Sequence, residues 1–192
     1  MKRAVVLLNM GGPNNLDEVE VFLNNMFNDK RIISAPKPLR MLIAKLITWG
    51  RKNEAKSSYA ALGGKSPLVG YTKQLISKLE EGIDATVHMA MRYTPPYSSD
   101  TLQGLKNVDE IYAIPLYPHY SSTTTLSSME DFEENIKKQG IDAKVKTLES
   151  YYKHPDYIAA TVERIRETLG DDNPDDFELV FSAHGLPQKI ID

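Results

Sequence analysis

The sequence predicts an α/β fold, a parallel sheet flanked by helices, and three observations predict it. Short apolar runs rich in Val, Ile and Leu alternate with amphipathic stretches along the whole chain. The first run, AVVLLN, is continuously apolar up to its last residue, as expected of a strand buried on both faces. Several amphipathic stretches open on residues that cap helices.

The elements follow in order. Residues 4–9 read as a buried strand ending in a glycine turn. The stretch 16–28 reads as a helix, because Asn15 can cap it and Asp17 and Glu18 suit the positive end of its dipole. Ser66-Pro67 starts a helix over 66–82, with proline where no backbone donor is needed. ATVHMAMRY (85–93) and EIYAIPLYP (110–118) are strands around a helix over 98–106. A helix over 128–139 leads to a strand, AKVKTLES (143–150). Pro155-Asp156 opens a helix that carries Val162, Ile165 and Leu169 on one face, and FELVFSA (177–183) reads as a last strand.

Ligands of such sheets collect outside the carboxyl ends of the strands. Here those ends read NMGGP, MRYTPP, YPHYSSTTT, ESYYKHP and SAHGLP. They hold three of the four histidines, Arg92 and a dense group of tyrosines and hydroxyls. His88 sits inside its strand and reads as structural, and His154, ahead of Pro155, reads as a cap. His119 reads as a surface or supporting imidazole.

The segment 30–57 stands apart. It holds the only tryptophan, a basic flank and an apolar helical face of Leu42, Ile43, Leu46 and Ile47. Two readings stay open: a helix whose Lys and Arg face water, or a hydrophobic lip over a pocket or against a membrane.

Composition excludes several classes. Hydrophobic residues at 41% allow a sizeable core. A formal charge of −3 gives no reason to expect nucleic acid as a partner. No cysteine is present, so disulfides, thiolate metal sites and a cysteine-held iron–sulfur cluster are excluded within these residues. The amino-terminal apolar run is too short for a signal peptide and no run approaches a membrane span. A soluble, cytoplasmic protein is expected, with contact at a membrane surface through 30–57 as the sharper reading of that segment.

Familiar motifs fail. GGKSP lacks the earlier glycine of a phosphate loop, since that position is Tyr59. FSAHG is no nucleophile elbow, because residue 180 is Val, and H-E-x-x-H is absent. His184 alone is more often a structural residue than a reactive one. The many tyrosines (ten), the scarcity of carboxylates at the strand ends and the apolar lip suit a large, flat, aromatic ligand.

LLNMGGP, YAALGGKSPL, AMRYTPP, YPHYSSTTTLSS and FSAHGLP, in this order and spacing, resemble the ferrochelatase family, enzymes that insert ferrous iron into a porphyrin to make haem. The resemblance covers the whole chain. It implies two similar Rossmann-like α/β chelatase domains with protoporphyrin IX held between them. Residues 1–170 would be the amino-terminal domain and 171–192 the start of the second. It assigns His184 to metal coordination and proton abstraction, and Arg51, Tyr59 and Ser66 to porphyrin contact. Met10 would face the macrocycle, and Arg92 and Tyr93 would be a polar pair in the cleft. Tyr120 and Ser121 are assigned to substrate binding with them. Ferrous iron enters as substrate, with no further cofactor.

Position 185 is Gly where many relatives carry Ser, a mild change in a tight turn. Ferrochelatases also continue well beyond the position of Asp192, and their later half holds an acidic residue facing the histidine. That carboxylate is expected to be missing here, so the chain alone is expected to metallate little or nothing. A chelatase for cobalt, nickel or coproporphyrin III, a non-catalytic tetrapyrrole-binding domain and an anion-binding regulatory module are the alternatives.

Overall fold

The computed structural model describes residues 1–186 and Gln188. Four strands form its sheet: β1 (Arg3–Asn9), β2 (Thr86–Met91), β3 (Glu110–Pro115) and β4 (Lys144–Thr147). All neighbours are parallel, in the order β2-β1-β3-β4. The helices are α1 (Glu18–Phe27), α2 (Lys37–Ala61), α3 (Leu68–Gly82), α4 (Ser98–Gln103), α5 (Ser127–Gln139) and α6 (Pro155–Leu169). A π-helical turn, Ser122–Leu126, runs directly into α5.

β1 shows why its sequence is apolar on both faces. Ala4, Val6 and Leu8 pack with Leu102 of α4 and Met129 and Phe132 of α5. Val5 and Leu7 turn the other way, toward Leu75, Ile76 and Leu79 of α3. Each buried Leu or Val contributes about 1.5–3 kcal/mol relative to exposure, so the central strand ties two layers together.

The expected caps form. Asn15 Oδ1 accepts the N–H groups of Asp17 at 2.9 Å and Glu18 at 3.0 Å. Ser66 Oγ accepts the N–H of Leu68 at 3.3 Å. His154 Nδ1 accepts the N–H of Asp156 at 3.3 Å, which makes it the cap its sequence position implies.

Three differences from expectation have physical causes. β2 and β3 end at Met91 and Pro115, short of the ends of their sequence runs, yet Arg92 N–H still bonds Asn9 O at 2.8 Å and Leu116 N–H bonds Leu8 O at 2.8 Å. The segment 30–57 enters the 25-residue α2 only at Lys37, and the helix carries on to Ala61 and stops at Leu62 before Gly63, whose φ is +88°. The third is a correction: 177–183 forms no strand. A parallel strand exists only through ladder bonds to a neighbour. Neither sheet edge, β2 or β4, receives this segment, and Val180 and Phe181 are 84% and 76% exposed. No residue of α6 is buried either.

Chain order β1 to β2 runs to one side of β1 and β3 to β4 to the other. The topological switch therefore lies between the carboxyl ends of β1 and β3, the place where sheets of this kind take their ligands.

Candidate functional site

The chain leaves β1 through Met10-Gly11-Gly12, and this turn organises the site. Gly11 has φ +82°, and a Cβ there would lie 2.4 Å from Thr94 Oγ1. Only glycine meets both conditions. Thr94 locks the turn on both sides: its Oγ1 accepts the N–H of Gly12 at 3.0 Å and donates to the Gly12 carbonyl at 3.1 Å. Ser66 N–H bonds Pro13 O at 2.8 Å, and a Cβ on Gly12 would fall 2.6 Å from the Ser66 side chain. The second glycine thus lets the α2–α3 connection lie directly on the turn.

Met10 and Tyr59 both pack against the cluster of Val19, Phe22, Leu23 and Tyr93. Tyr59 is half-buried, and burial raises its pKa, so the phenol stays neutral. Arg51 is exposed and lies two turns before Tyr59 on α2, with Ala55 of the same cluster between them. Met10, Ala55 and Tyr59 thus share one apolar wall, with Ser66 bonded to the neighbouring turn and Arg51 farther along α2.

Tyr93 belongs to the same cluster, and Arg92 precedes it at the end of β2. Tyr93 is 2% exposed, and its hydroxyl donates to Asp29 Oδ2 at 2.9 Å. Its pKa is pushed up mainly by burial and then by the charge of Asp29. Arg92 pairs with Asp29 at 3.2 Å and with Asp131 at 3.3 Å. Tyr93 is thus committed to Asp29, and Arg92, held by the two carboxylates, also lines a surface cavity with Asn25, Asn28 and Tyr97.

At the end of β3, Tyr120 is about half-exposed, whereas Ser121 Oγ accepts Thr123 N–H at 3.3 Å and caps the π-helical turn. His119 is exposed and stacks on Tyr152, their rings 4.6 Å apart. His88 lies 3.0 Å from Thr86 Oγ1 inside β2, and burial lowers its pKa.

The structure therefore gathers Met10, Tyr59, Ser66 and Tyr93, with Arg51 farther along the same helix. Arg92 joins them through Asp29, and Tyr120 and Ser121 follow β3, the strand beside β1. It does not bring His184 to this group: the residue is exposed, in the segment that joins no sheet. Among the described residues no three His, Asp or Glu side chains gather in a way that could hold a metal ion. Asp29 was invisible to sequence reasoning, because the side chains that pair with it, Arg92, Tyr93 and Ser127, lie at least 63 positions away.

Along α2, Leu39, Leu42, Leu46 and Trp49 form an exposed stripe, with Leu46 at 61% and Trp49 at 75% exposure. Ala44 and Thr48 face inward. No helix among the described residues is long and apolar enough to cross a membrane.

The family model described as Ferrochelatase matches residues 2–192. The chain is 51% identical over 195 residues to a ferrochelatase of Sulfurimonas denitrificans, covering 99% of this chain and 62% of that protein. It is 53% identical over 194 residues to a ferrochelatase of Nitratiruptor sp., covering 99% and 63%. To that of Wolinella succinogenes it is 47% identical over 196 residues, covering 100% and 62%. The chain thus spans less than two thirds of the length of these curated relatives. By the extent of these matches and the parallel α/β fold, the chain belongs to the ferrochelatase family.

Proposed function

We propose that this chain supplies one wall of an enzyme that inserts ferrous iron into protoporphyrin IX to form protohaem. The observation that carries the reading is that Met10 of the glycine turn shares one apolar cluster with Tyr59 while Ser66 bonds the same turn, beside the switch point of the sheet. A flat apolar macrocycle can lie against Met10 and the Tyr59 ring, while Arg51 is suited to a propionate at its edge.

Metallation removes two pyrrole protons and joins one ferrous ion to four nitrogens, with no change in oxidation state. His184 is the residue proposed to take a proton and to meet the metal. A neutral imidazole has a basicity near working pH and is a suitable ligand for ferrous iron. Its exposure here, away from the wall, supports a further proposal: turnover needs residues that the relatives have beyond this chain's span, including an acidic group facing His184. On this reading residues 1–170 form one domain and 171–192 begin the next.

The stripe on α2, with Lys45, Arg51 and Lys52 along the same helix, supports a lip that touches anionic lipid, so the reaction would run in the cytoplasm at a membrane surface. One observation favours a second reading for the chain by itself, porphyrin binding without metallation, because the wall is present and His184 is apart from it. Coproporphyrin III in place of protoporphyrin, or cobalt or nickel in place of iron, would use the same wall. An iron-insertion assay across these porphyrins and metals tests the proposal, comparing this chain with a protein of the relatives' full length. Turnover by this chain that is lost in His184→Ala would overturn the requirement for further residues. Absence of turnover by the longer protein with every metal and porphyrin would overturn the activity.

A further inference from the structure

Asp29 follows α1 and is 3% exposed, a buried carboxylate for which the proposed chemistry has no use. Its Oδ1 accepts the N–H of Arg31 at 2.7 Å. Its Oδ2 accepts three donors: the Tyr93 hydroxyl at 2.9 Å, Arg92 Nη2 at 3.2 Å, and the Ser127 hydroxyl in close contact. Arg92 is equally committed. Its Nε donates to Ser127 Oγ at 3.0 Å and its Nη1 to Asp131 Oδ1 at 3.3 Å. Asp131 in turn accepts the Ser98 hydroxyl at 2.7 Å.

All three guanidinium nitrogens are thus held inside the chain, between two carboxylates. Swinging Arg92 out to a ligand would leave Asp29 buried without its counter-ion, a strongly unfavourable change. An incoming anion would also meet both carboxylates at the same guanidinium. The network reaches the wall through the backbone: Arg92 N–H bonds Asn9 O at 2.8 Å and Tyr93 N–H bonds Met10 O at 3.0 Å. Tyr93 also packs in the cluster that Met10 and Tyr59 join. Because the Tyr93 phenol is held protonated by burial and by Asp29, it stays a donor across the working pH range.

We propose that Asp29 is a positioning residue for the porphyrin-facing wall, and that Arg92 acts through it rather than by touching substrate. The clamp joins the α1–α2 connection, the end of β2 and the start of α5, and so fixes where Met10 and Tyr59 stand. This inference rests on the reading of that wall as a porphyrin surface.

The test is a double-mutant cycle on the full chain with Asp29→Asn and Arg92→Gln, read in two ways. Urea unfolding reports the clamp itself, and the Soret band during titration with protoporphyrin IX reports the wall. Glu130→Gln is the control. It loosens the same connection, which Lys30 and Arg31 tie to Glu130, without touching Asp29 or Arg92. Each single variant is expected to weaken porphyrin binding by roughly tenfold and to shift the bound Soret band. The double variant should be no worse than the more damaging single one in either reading, and Glu130→Gln should leave the bound Soret band in place. If Asp29→Asn does not fold, Tyr93→Phe, which deletes only one hydroxyl, replaces it in the cycle.

Additive losses in urea with porphyrin binding intact would overturn the clamp alone. Arg92→Gln weakening binding while Asp29→Asn does not would make Arg92 a direct ligand and overturn the proposal. No saturable binding by the unsubstituted chain would overturn the porphyrin reading, and the positioning role with it.

Discussion

Replacing Gly11 by alanine puts the site's organising turn under direct strain. The position has φ +82°, which costs an L-residue about 1–2 kcal/mol. The added Cβ would sit 2.4 Å from Thr94 Oγ1 and 3.1 Å from Met91 Cβ, so Thr94 must move. Its hydroxyl holds Gly12 through two hydrogen bonds at 3.0 and 3.1 Å, each worth about 1 kcal/mol net. Together these give a loss of about 3–4 kcal/mol, a large share of the stability of a typical domain. Gly63→Ala is the internal control. Its φ is +88°, but a Cβ there meets nothing within 4 Å, so only the backbone cost of about 1–2 kcal/mol remains. Urea unfolding followed by circular dichroism, extrapolated to water, measures both. Equal losses for the two variants would refute the claim that Thr94 and the close approach define the turn.

Phe132→Ala should cost about 3–5 kcal/mol in the same assay, because the ring is fully buried beneath the sheet. Glu130, bonded by Arg31 and Lys30, has its pKa held at about 2, below the ordinary value of 4.5. Its contribution is therefore complete above about pH 4.5 and is lost as pH falls toward 2. The pair is partly exposed, so Glu130→Gln should remove on the order of 1 kcal/mol near neutral pH and much less near pH 2, read from urea midpoints at both. Leu46→Gln and Trp49→Gln on the exposed stripe should change stability by less than about 0.5 kcal/mol while reducing co-sedimentation with anionic vesicles. Phe181→Ser should leave the melting curve unchanged and lower the aggregation rate, since an exposed apolar segment without strand partners is an aggregation hazard.

What the sequence made legible follows from how local each signal is. The β1 run, the Asn15 and Ser66 caps and the glycine turn are encoded within a few residues, and each forms where its pattern lies. The convergence of Met10, Tyr59 and Ser66 was legible only through family resemblance, because the contacts join positions about 50 apart. Asp29 gave no signal at all, since its meaning comes from Arg92, Tyr93 and Ser127 across the fold. The segment 177–183 has a strand's composition but pairs with neither sheet edge, so propensity alone did not make it a strand. Along the basic α2, Ala44 and Thr48 are buried while the leucine stripe faces outward, an arrangement that composition alone left open.

The most direct test of the central claim is a Soret titration of this chain with protoporphyrin IX, run beside Tyr59→Ala and His184→Ala. The account predicts saturable binding that weakens in Tyr59→Ala and is unchanged in His184→Ala. A Soret band that does not respond to the chain, or binding lost in His184→Ala and kept in Tyr59→Ala, would contradict it.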